Sequence, residues 1–331
     1  MSLTALAATL DNFIEKIDTD PAWKDIHRVA DAAEPALETL FRVAVERMRQ
    51  GISFAAIERA MKAGSVPEVE DALPWDIFES TMSECTELLY NLVLEGGDVS
   101  TPEFRRFFVE QQGVALVRKA SVSPEEAKRI ISGQEADVGL DLSFNMRNPK
   151  AIQWALEESS TLITQITIES RLAIRNIISN AFAVGGHPYE TAKTIKNYIG
   201  LTDRDAKAAL SLEQRLLASG LSKEKVAAAV EKYRNKKLLE RAKLIARTET
   251  IASANAGQQL HWKDMQNKGY LDEEEIVREW IATPDDRMCE ECAALDGTTA
   301  PLNGTFPGGV KQPPLHPDCR CAVGLRKKPA M

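Results

Sequence analysis

The sequence lacks the segments that would send it to a membrane or out of a cell. Its 331 residues contain no run of the roughly eighteen consecutive apolar residues that a membrane-spanning helix needs. The N-terminus, Met1-Ser-Leu-Thr-Ala-Leu-Ala-Ala, has no basic segment and reaches Asp11 early, which is not typical of a secretory signal peptide. We therefore expect a reducing, cytosol-like bacterial setting and no membrane partner.

Aromatic residues, positive charge and catalytic motifs are also scarce. Aromatics make up 6% of the chain, whereas Ala, Leu, Ile, Glu and Lys are common, which favours helix. The 41 basic and 49 acidic residues give a net charge of −8, so any contact with DNA would have to be local. The chain has no P-loop, dinucleotide-binding glycine motif, nucleophile elbow or metalloprotease helix.

The apolar pattern of the first 135 residues predicts several amphipathic helices. Apolar residues between Asp31 and Arg49 recur every three or four positions, and Gly51 should end this helix. Helix starts are expected at Thr101-Pro102-Glu103 and Ser123-Pro124-Glu125, where a capping residue precedes proline. Further breaks are expected at Gly64-Ser65, Pro74, Gly96-Gly97 and Gly113.

Two long helices are predicted after a loop over residues 133–149. The first begins near Pro149 and ends at Gly185-Gly186, a length on the order of 50 Å. Two shorter helices should follow, from Pro188 to Gly200 and from the Thr202 cap to Gly220. Ser222 then caps the second long helix, which reaches about Lys268.

The pattern changes after Tyr270 and indicates a small β-containing module. Alternation over 275–282 predicts one strand, Asp296-Gly297 a turn, and 320–325 a closing strand. The predicted fold is mainly α with a small α+β C-terminal module, that is, an elongated helical body with a zinc-stapled end. We divide the chain into an N-terminal helical region (1–135), a long-helix body (136–270) and the C-terminal module (271–331).

Four of the five cysteines and one of the four histidines lie within 33 residues of this module. A Cys-x2-Cys knuckle and a His-x2-Cys-x-Cys segment offer five ligands where tetrahedral Zn²⁺ needs four. A structural zinc is favoured because a module this small rarely folds on its own core. A disulfide pair and free packed cysteines are the alternatives, and a catalytic zinc assisted by Glu290 or Glu291 is less favoured. The five candidate ligands, of which the sequence does not select four, are Cys289, Cys292, His316, Cys319 and Cys321.

A polar stripe marks the second half of the last long helix. Thr248, Ala252, Asn255, Gln259 and Trp262 follow a 4-3-4-3 spacing and so share one face. Small residues beside them, including Ala254 and Gly257, permit another backbone to come close. We favour a helix that packs under the β-containing module through a few hydrogen bonds. The alternative is an active site that uses Arg247 and Glu249.

The remaining charged and metal-binding residue types have ordinary interpretations. The basic residues between Lys232 and Arg247, and those at 326–328, can contact phosphates, but acidic residues interleave with the first group, which favours a solvated helix face. His27, His187 and His261 show no ligand spacing, and Cys85 lies on an apolar helix, where it is expected in the core.

Taken in order, these motifs resemble the phage Mu F-like family of minor head proteins, also called phage head morphogenesis proteins. The resemblance runs from about Asn148 to Cys321. Its five pieces are Gly186-His-Pro-Tyr-Glu-Thr-Ala-Lys-Thr-Ile with Ile199-Gly-Leu-Thr202; Arg247-Thr-Glu-Thr; Ala254-Asn-Ala-Gly257 with Trp262; Trp280-Ile-Ala-Thr-Pro-Asp-Asp-Arg-Met-Cys289-Glu-Glu-Cys292-Ala-Ala-Leu-Asp-Gly297; and His316-Pro-Asp-Cys319-Arg-Cys321.

The resemblance implies a structural role rather than a reaction. Family members are low-copy head components of tailed phages, associated with the portal vertex and needed for head assembly or DNA delivery. It therefore implies a virion protein that is not an enzyme, is present in several copies, and binds the portal protein, the major capsid protein or both, with possible local contact to packaged DNA. Some relatives carry fused toxin or enzyme domains, which we do not expect here because ten residues follow Cys321. Residues 1–135, outside the resemblance, are candidates for docking.

Two other function classes stay open from the sequence. One is a metal-dependent nuclease or a transferase that uses Arg247 and Glu249. The other is a DNA-binding accessory protein.

Overall fold

The computed structural model describes residues 20–119, 143–145, 147–283 and 288–328, without the side chains of residues 103 and 105–119. It is 72% helical with a three-stranded antiparallel sheet near the C-terminus, which confirms the mainly α fold with a small α+β module. No helix in the described part of the chain is both long and apolar enough to cross a membrane. The helices are α1 Pro21–Gln50, α2 Phe54–Ala63, α3 Val66–Asp71, α4 Trp75–Met82, α5 Cys85–Lys119, α6 Pro149–Val184, α7 Pro188–Tyr198, α8 Asp203–Ala218, α9 Lys223–Asn267 and α10 Glu290–Leu295.

Most helix ends lie where the capping chemistry of the sequence places them. Gly64 ends α2 in the left-handed conformation at φ 76°, where a residue without Cβ meets no steric penalty. Thr202 caps α8 because its hydroxyl accepts a hydrogen bond from the Asp205 N–H at 3.2 Å. The predicted starts at Pro149 and Pro188 are confirmed.

Three predicted interruptions of α5 are wrong. The helix runs without a break through Gly96-Gly97, through Gly113 and through Thr101-Pro102-Glu103, so Pro102 lies inside it rather than at its start. The two adjacent glycines allow neighbouring residues to pack closely against α5. A Cβ added at Gly96 would overlap the backbone carbonyl oxygen of Ala254 on α9. The predicted start at Ser123-Pro124-Glu125 and most of the 133–149 loop lie outside the described residues.

The glycine on the α9 side of this contact lies as close to the α5 backbone as Gly96 lies to the α9 backbone. A Cβ at Gly257 would overlap the carbonyl oxygen of Val93, and one at Gly97 would lie 2.5 Å from the Phe144 ring. Glycine therefore allows these backbones to meet where any larger residue would separate them. The prediction that Ala254 and Gly257 admit another backbone is confirmed, and α5 supplies it.

The strands form one antiparallel sheet in the order β2-β1-β3. They are β1 Ile276–Ile281, β2 Thr299–Ala300 and β3 Ala322–Lys327. In the register, Arg278 of β1 faces Ala300 of β2 and Leu325 of β3. The predicted strands over 275–282 and 320–325 exist, although the closing strand begins two residues later than expected.

The contacts divide the chain into two compact units. The first contains Met1–Glu34, Leu89–Ala155 and Arg247–Met331, and the second contains Pro35–Leu88 and Leu156–Ala246. These units differ from the consecutive regions 1–135, 136–270 and 271–331, because α1, α5, α6 and α9 each have residues in both units. The division into these three regions stays a prediction.

The basic segment of α9 within the second unit is only partly a solvated face. Lys236 and Lys237 are paired with Glu240, as expected for a charged helix surface. Arg241 is instead buried, and it donates to the Glu169 carboxylate at 2.7 Å and to the Gly200 carbonyl oxygen at 2.8 Å. The solvated-face prediction is therefore wrong at Arg241, whose guanidinium joins α9 to α6 and to the turn after α7.

Candidate metal centre

The five predicted ligands come together in the first unit as two overlapping triads. Cys289, Cys292 and His316 have ligand atoms within 4.8 Å of one another, and so do Cys292, Cys319 and Cys321. These Cys/His clusters can hold a metal ion, and Cys292 belongs to both. The knuckle cysteines lie at the start of α10, His316 lies in the loop before β3, and Cys321 directly precedes β3.

The knuckle is formed by the first turn of α10. Cys289 is its N-cap residue, and the Cys289 Sγ accepts a hydrogen bond from the Cys292 N–H at 3.3 Å. A capping position orients the sulfur towards the helix start, where N–H groups stabilise negative charge. This hydrogen bond is the main cause that lowers the pKa of the Cys289 thiol. The spacing Cys-x2-Cys thus turns both sulfurs to one side of a single helical turn.

His316 is oriented as a ligand through its ring nitrogens. Its Nε2 lies 3.1 Å from the sulfurs of both Cys289 and Cys292. Its Nδ1 lies 2.8 Å from the carbonyl oxygen of Pro317, which can only accept a hydrogen bond. The ring proton is therefore assigned to Nδ1, and the Nε2 lone pair is left for a metal, as is usual for histidine ligands.

The thiol pKa values of the cluster are shifted in opposite directions. A hydrogen bond from the Cys321 thiol lowers the pKa of Cys319 to about 5, and the same contact raises the pKa of Cys321. Burial raises the pKa of Cys292 to about 12. Burial alone would lower the pKa of His316, but the Pro317 carbonyl and the neighbouring sulfurs raise it above its ordinary value. The neighbouring sulfurs thus favour positive charge at His316.

The dimensions of the cluster fit a single small ion. Two sulfurs bound to one zinc ion stand about 3.8 Å apart in a tetrahedron, and the sulfurs of Cys292 and Cys319 lie 3.9 Å apart. A cavity of about 20 Å³ lies among all five side chains, which is room for an ion. All five cysteines of the chain are free, and the 3.9 Å separation is about twice the length of a disulfide bond.

The polar stripe of α9 supports the loop that carries the ligands. The Thr248 hydroxyl accepts a hydrogen bond from the main-chain N–H of Asp318, which has φ 62°. The Gln259 amide donates to the carbonyl oxygen of Leu302 at 3.0 Å. The hypothesis of a helix packed under the module through a few hydrogen bonds is therefore confirmed. Arg247 forms ion pairs with Asp31 and Glu34 of α1.

Arg278 is an important residue that sequence reasoning missed. It is 2% exposed, and its guanidinium donates to the carbonyl oxygens of Pro301, Gly304 and Lys311 and to the Gln259 side-chain oxygen, at 2.7–3.1 Å. Burial lowers its pKa to about 10, so the side chain stays charged at neutral pH. An arginine among the apolar, inward-facing positions of β1 was the available signal, because a buried charge needs several partners.

The start of α1 also joins the module, which the sequence did not indicate. Arg326 of β3 donates to the carboxylates of Asp20 and Glu279, each at 2.5 Å. The Trp23 indole and the His27 ring both reach the carbonyl oxygen of Arg320, between two candidate ligands. Residues far apart in sequence therefore hold the backbone that presents Cys319 and Cys321.

Of the residues outside the cluster, Cys85 lies in the core as the sequence predicts, buried in α5. His187 caps α7 by accepting from the Tyr189 N–H at 3.3 Å, and the buried His261 lies 2.5 Å from the Ser100 hydroxyl. Within the described residues, none of these three belongs to a group of potential metal ligands.

One comparison with known proteins finds a match. The family model described as Phage Mu protein F like protein matches residues 210–324. This range includes α9, the sheet and all five candidate ligands, whereas the resembling segments between Gly186 and Thr202 lie before it. No curated protein and no solved structure matches the chain. Residues 210–324 are therefore similar to the Phage Mu protein F like family.

Proposed function

We propose that this chain is a minor head protein of a tailed bacteriophage, attached at or near the portal vertex and acting in head morphogenesis. The match of residues 210–324 to the Phage Mu protein F like family is the observation that carries the proposal. Its partners are then the portal protein, the major capsid protein or both. The protein resides in the virion, in several copies, and in the host cytoplasm during assembly. A contribution to DNA packaging or delivery belongs to the same proposal.

The metal centre has a structural role in this proposal. Zn²⁺ is the metal that suits a closed set of thiolate and imidazole ligands. We assign its ligands as Cys289, Cys292, His316 and Cys319, because Cys292 joins the two triads and Cys319 lies next to it. Cys321 then donates its thiol hydrogen to Cys319 from outside the coordination sphere. A set of four protein ligands, which fills the coordination sphere of a tetrahedral zinc ion, supports a role in folding rather than in turnover.

The alternatives have less support from the described side chains. In a nuclease or transferase based on Arg247, the guanidinium would have to reach a substrate, but it is held between Asp31 and Glu34. A DNA-binding accessory protein would need exposed and unpaired basic residues. The basic residues of α9 are instead mostly paired with carboxylates or buried. Both observations favour a structural protein that is not an enzyme.

The particle itself provides the test. We expect the protein in purified virions of the phage that encodes it, at a few copies per portal. Deleting its gene should reduce infectious particles at least tenfold, and the wild-type gene supplied in trans should restore them. A variant with Arg247→Lys and Glu249→Gln should restore them as well if no catalysis is involved. Absence from virions, or normal infection without the gene, would contradict the proposal.

A further inference from the structure

A second polar site lies in the same unit as the metal centre, between α9 and the loop after β2. It is a pocket of about 200 Å³ whose lining includes Gln259, Lys263, Arg278, Asn303, Lys311 and Gln312. The volume is far more than the roughly 10–15 Å³ that one water needs. It is below the roughly 300–1,000 Å³ of pockets for drug-sized ligands. The pocket therefore suits a compact polar group.

The charge of the lining has one sign. Lys263, Arg278 and Lys311 are cationic, and the described lining includes no acidic residue. Among the described side chains, no carboxylate forms an ion pair with any of the three. The carboxylate of Glu273 lies beside the pocket and accepts hydrogen bonds from Asn303 at 3.3 and 3.5 Å, but it is not part of the lining.

The buried guanidinium keeps its charge uncompensated. Four of the five N–H donors of Arg278 are used by neutral oxygens, which satisfy hydrogen bonds without cancelling the charge. Burial is the largest cause that lowers the pKa of Lys263. The positive charges of Arg278, Lys150 and Lys311 lower it further. An anion in the pocket would relieve the repulsion among these cations.

We propose that this pocket binds a phosphate group, held by Lys263 and Lys311 beside the buried charge of Arg278 and by the side chain of Gln312. Lysine and arginine donors with nearby amides match the several oxygens and the double charge of phosphate. Arg278 fixes the loop from Pro301 to Lys311 around its guanidinium, so the site is formed before a ligand arrives. The source of the phosphate is a free phosphate compound or the phosphorylated end of a nucleic acid strand.

Calorimetric titration of the full chain with inorganic phosphate and pyrophosphate tests the site. We expect saturable binding of about one pyrophosphate per chain, at least tenfold weaker after combined Lys263→Gln and Lys311→Gln. Combined Lys232→Gln and Lys236→Gln, which removes two exposed charges elsewhere on α9, should leave the affinity unchanged. Because Lys311 is exposed, Lys311→Gln alone is the second variant if the double variant fails to fold.

The outcomes separate the sources and can overturn the inference. Tighter binding of a 5′-phosphorylated oligonucleotide than of its 5′-hydroxyl counterpart identifies a nucleic acid end. Equal binding of the two, together with saturable pyrophosphate binding, identifies a free phosphate compound. No saturable binding of either phosphate compound, or equal losses in both double variants, would overturn the proposal. A negative result here would leave the virion experiment unaffected, so the two proposals fail independently.

Discussion

Cys292→Ser should release the metal and unfold the C-terminal module. Cys292 is the cysteine common to both ligand triads, so its replacement breaks each of them. A structural zinc contributes roughly 10–16 kcal/mol of apparent binding energy, which is as large as the roughly 5–15 kcal/mol stability of a whole domain. Metal analysis of the purified protein should fall from one zinc per chain to none. Amide hydrogen exchange should show β1 and β3 unprotected.

Two cysteine variants serve as controls for this result. Cys85→Ala removes a buried thiol on α5, far along the chain from the cluster, and should keep one zinc per chain. Cys321→Ser alters a group that we place outside the coordination sphere, and it should keep the metal at roughly 10–100-fold lower affinity. Full zinc retention in Cys292→Ser would contradict the ligand assignment. Complete loss in Cys321→Ser would move Cys321 into the coordination sphere.

Gly257→Ala should destabilise the first unit by about 3 kcal/mol, the upper end of the usual cost of overpacking. On a solvent-exposed helix the same change stabilises by about 1 kcal/mol, because alanine favours helix more than glycine does. Here the new Cβ would overlap the Val93 carbonyl oxygen on α5. A side chain could relieve such an overlap by changing its rotamer, but a backbone carbonyl in a helix cannot. The two helices must therefore separate and lose packing contacts. Thermal or denaturant unfolding measures the change.

Gly220→Ala is the matched control for this prediction. Gly220 has φ 79° with no neighbouring atom within 4 Å of an added Cβ, so only backbone strain opposes the change. That strain costs about 1–2 kcal/mol. A Gly257→Ala protein as stable as the wild type, or less affected than Gly220→Ala, would show that the close contact between α5 and α9 is not needed.

Features that depend on local chemistry could be predicted from the sequence. The cap at Thr202, the stop at Gly64 and the long helices rest on neighbouring residues, and the structure has them as predicted. The five candidate ligands could be grouped from the sequence because their spacing is itself the signal. The knuckle needs two residues between its sulfurs, and a histidine beside Cys319 completes the pattern.

Features that depend on distant contacts could not be predicted. Gly96-Gly97 resembled a helix break because the sequence does not show that Ala254 will lie against it. Arg241 looked solvated because its partner Glu169 is 72 residues away. For the same reason, nothing indicated that Asp20 would bind Arg326. In each case tertiary packing outweighed the local preference of the residue.

Native mass spectrometry of the full chain, recorded with and without a strong chelator, tests the central claim most directly. The claim is that a structural zinc, held by the knuckle, His316 and Cys319, maintains this domain. We predict one zinc per chain before chelation. After chelation we predict an apo mass with a broad, highly charged distribution caused by unfolding of the C-terminal module. A metal-free chain whose narrow charge distribution is the same with and without chelator would contradict the claim.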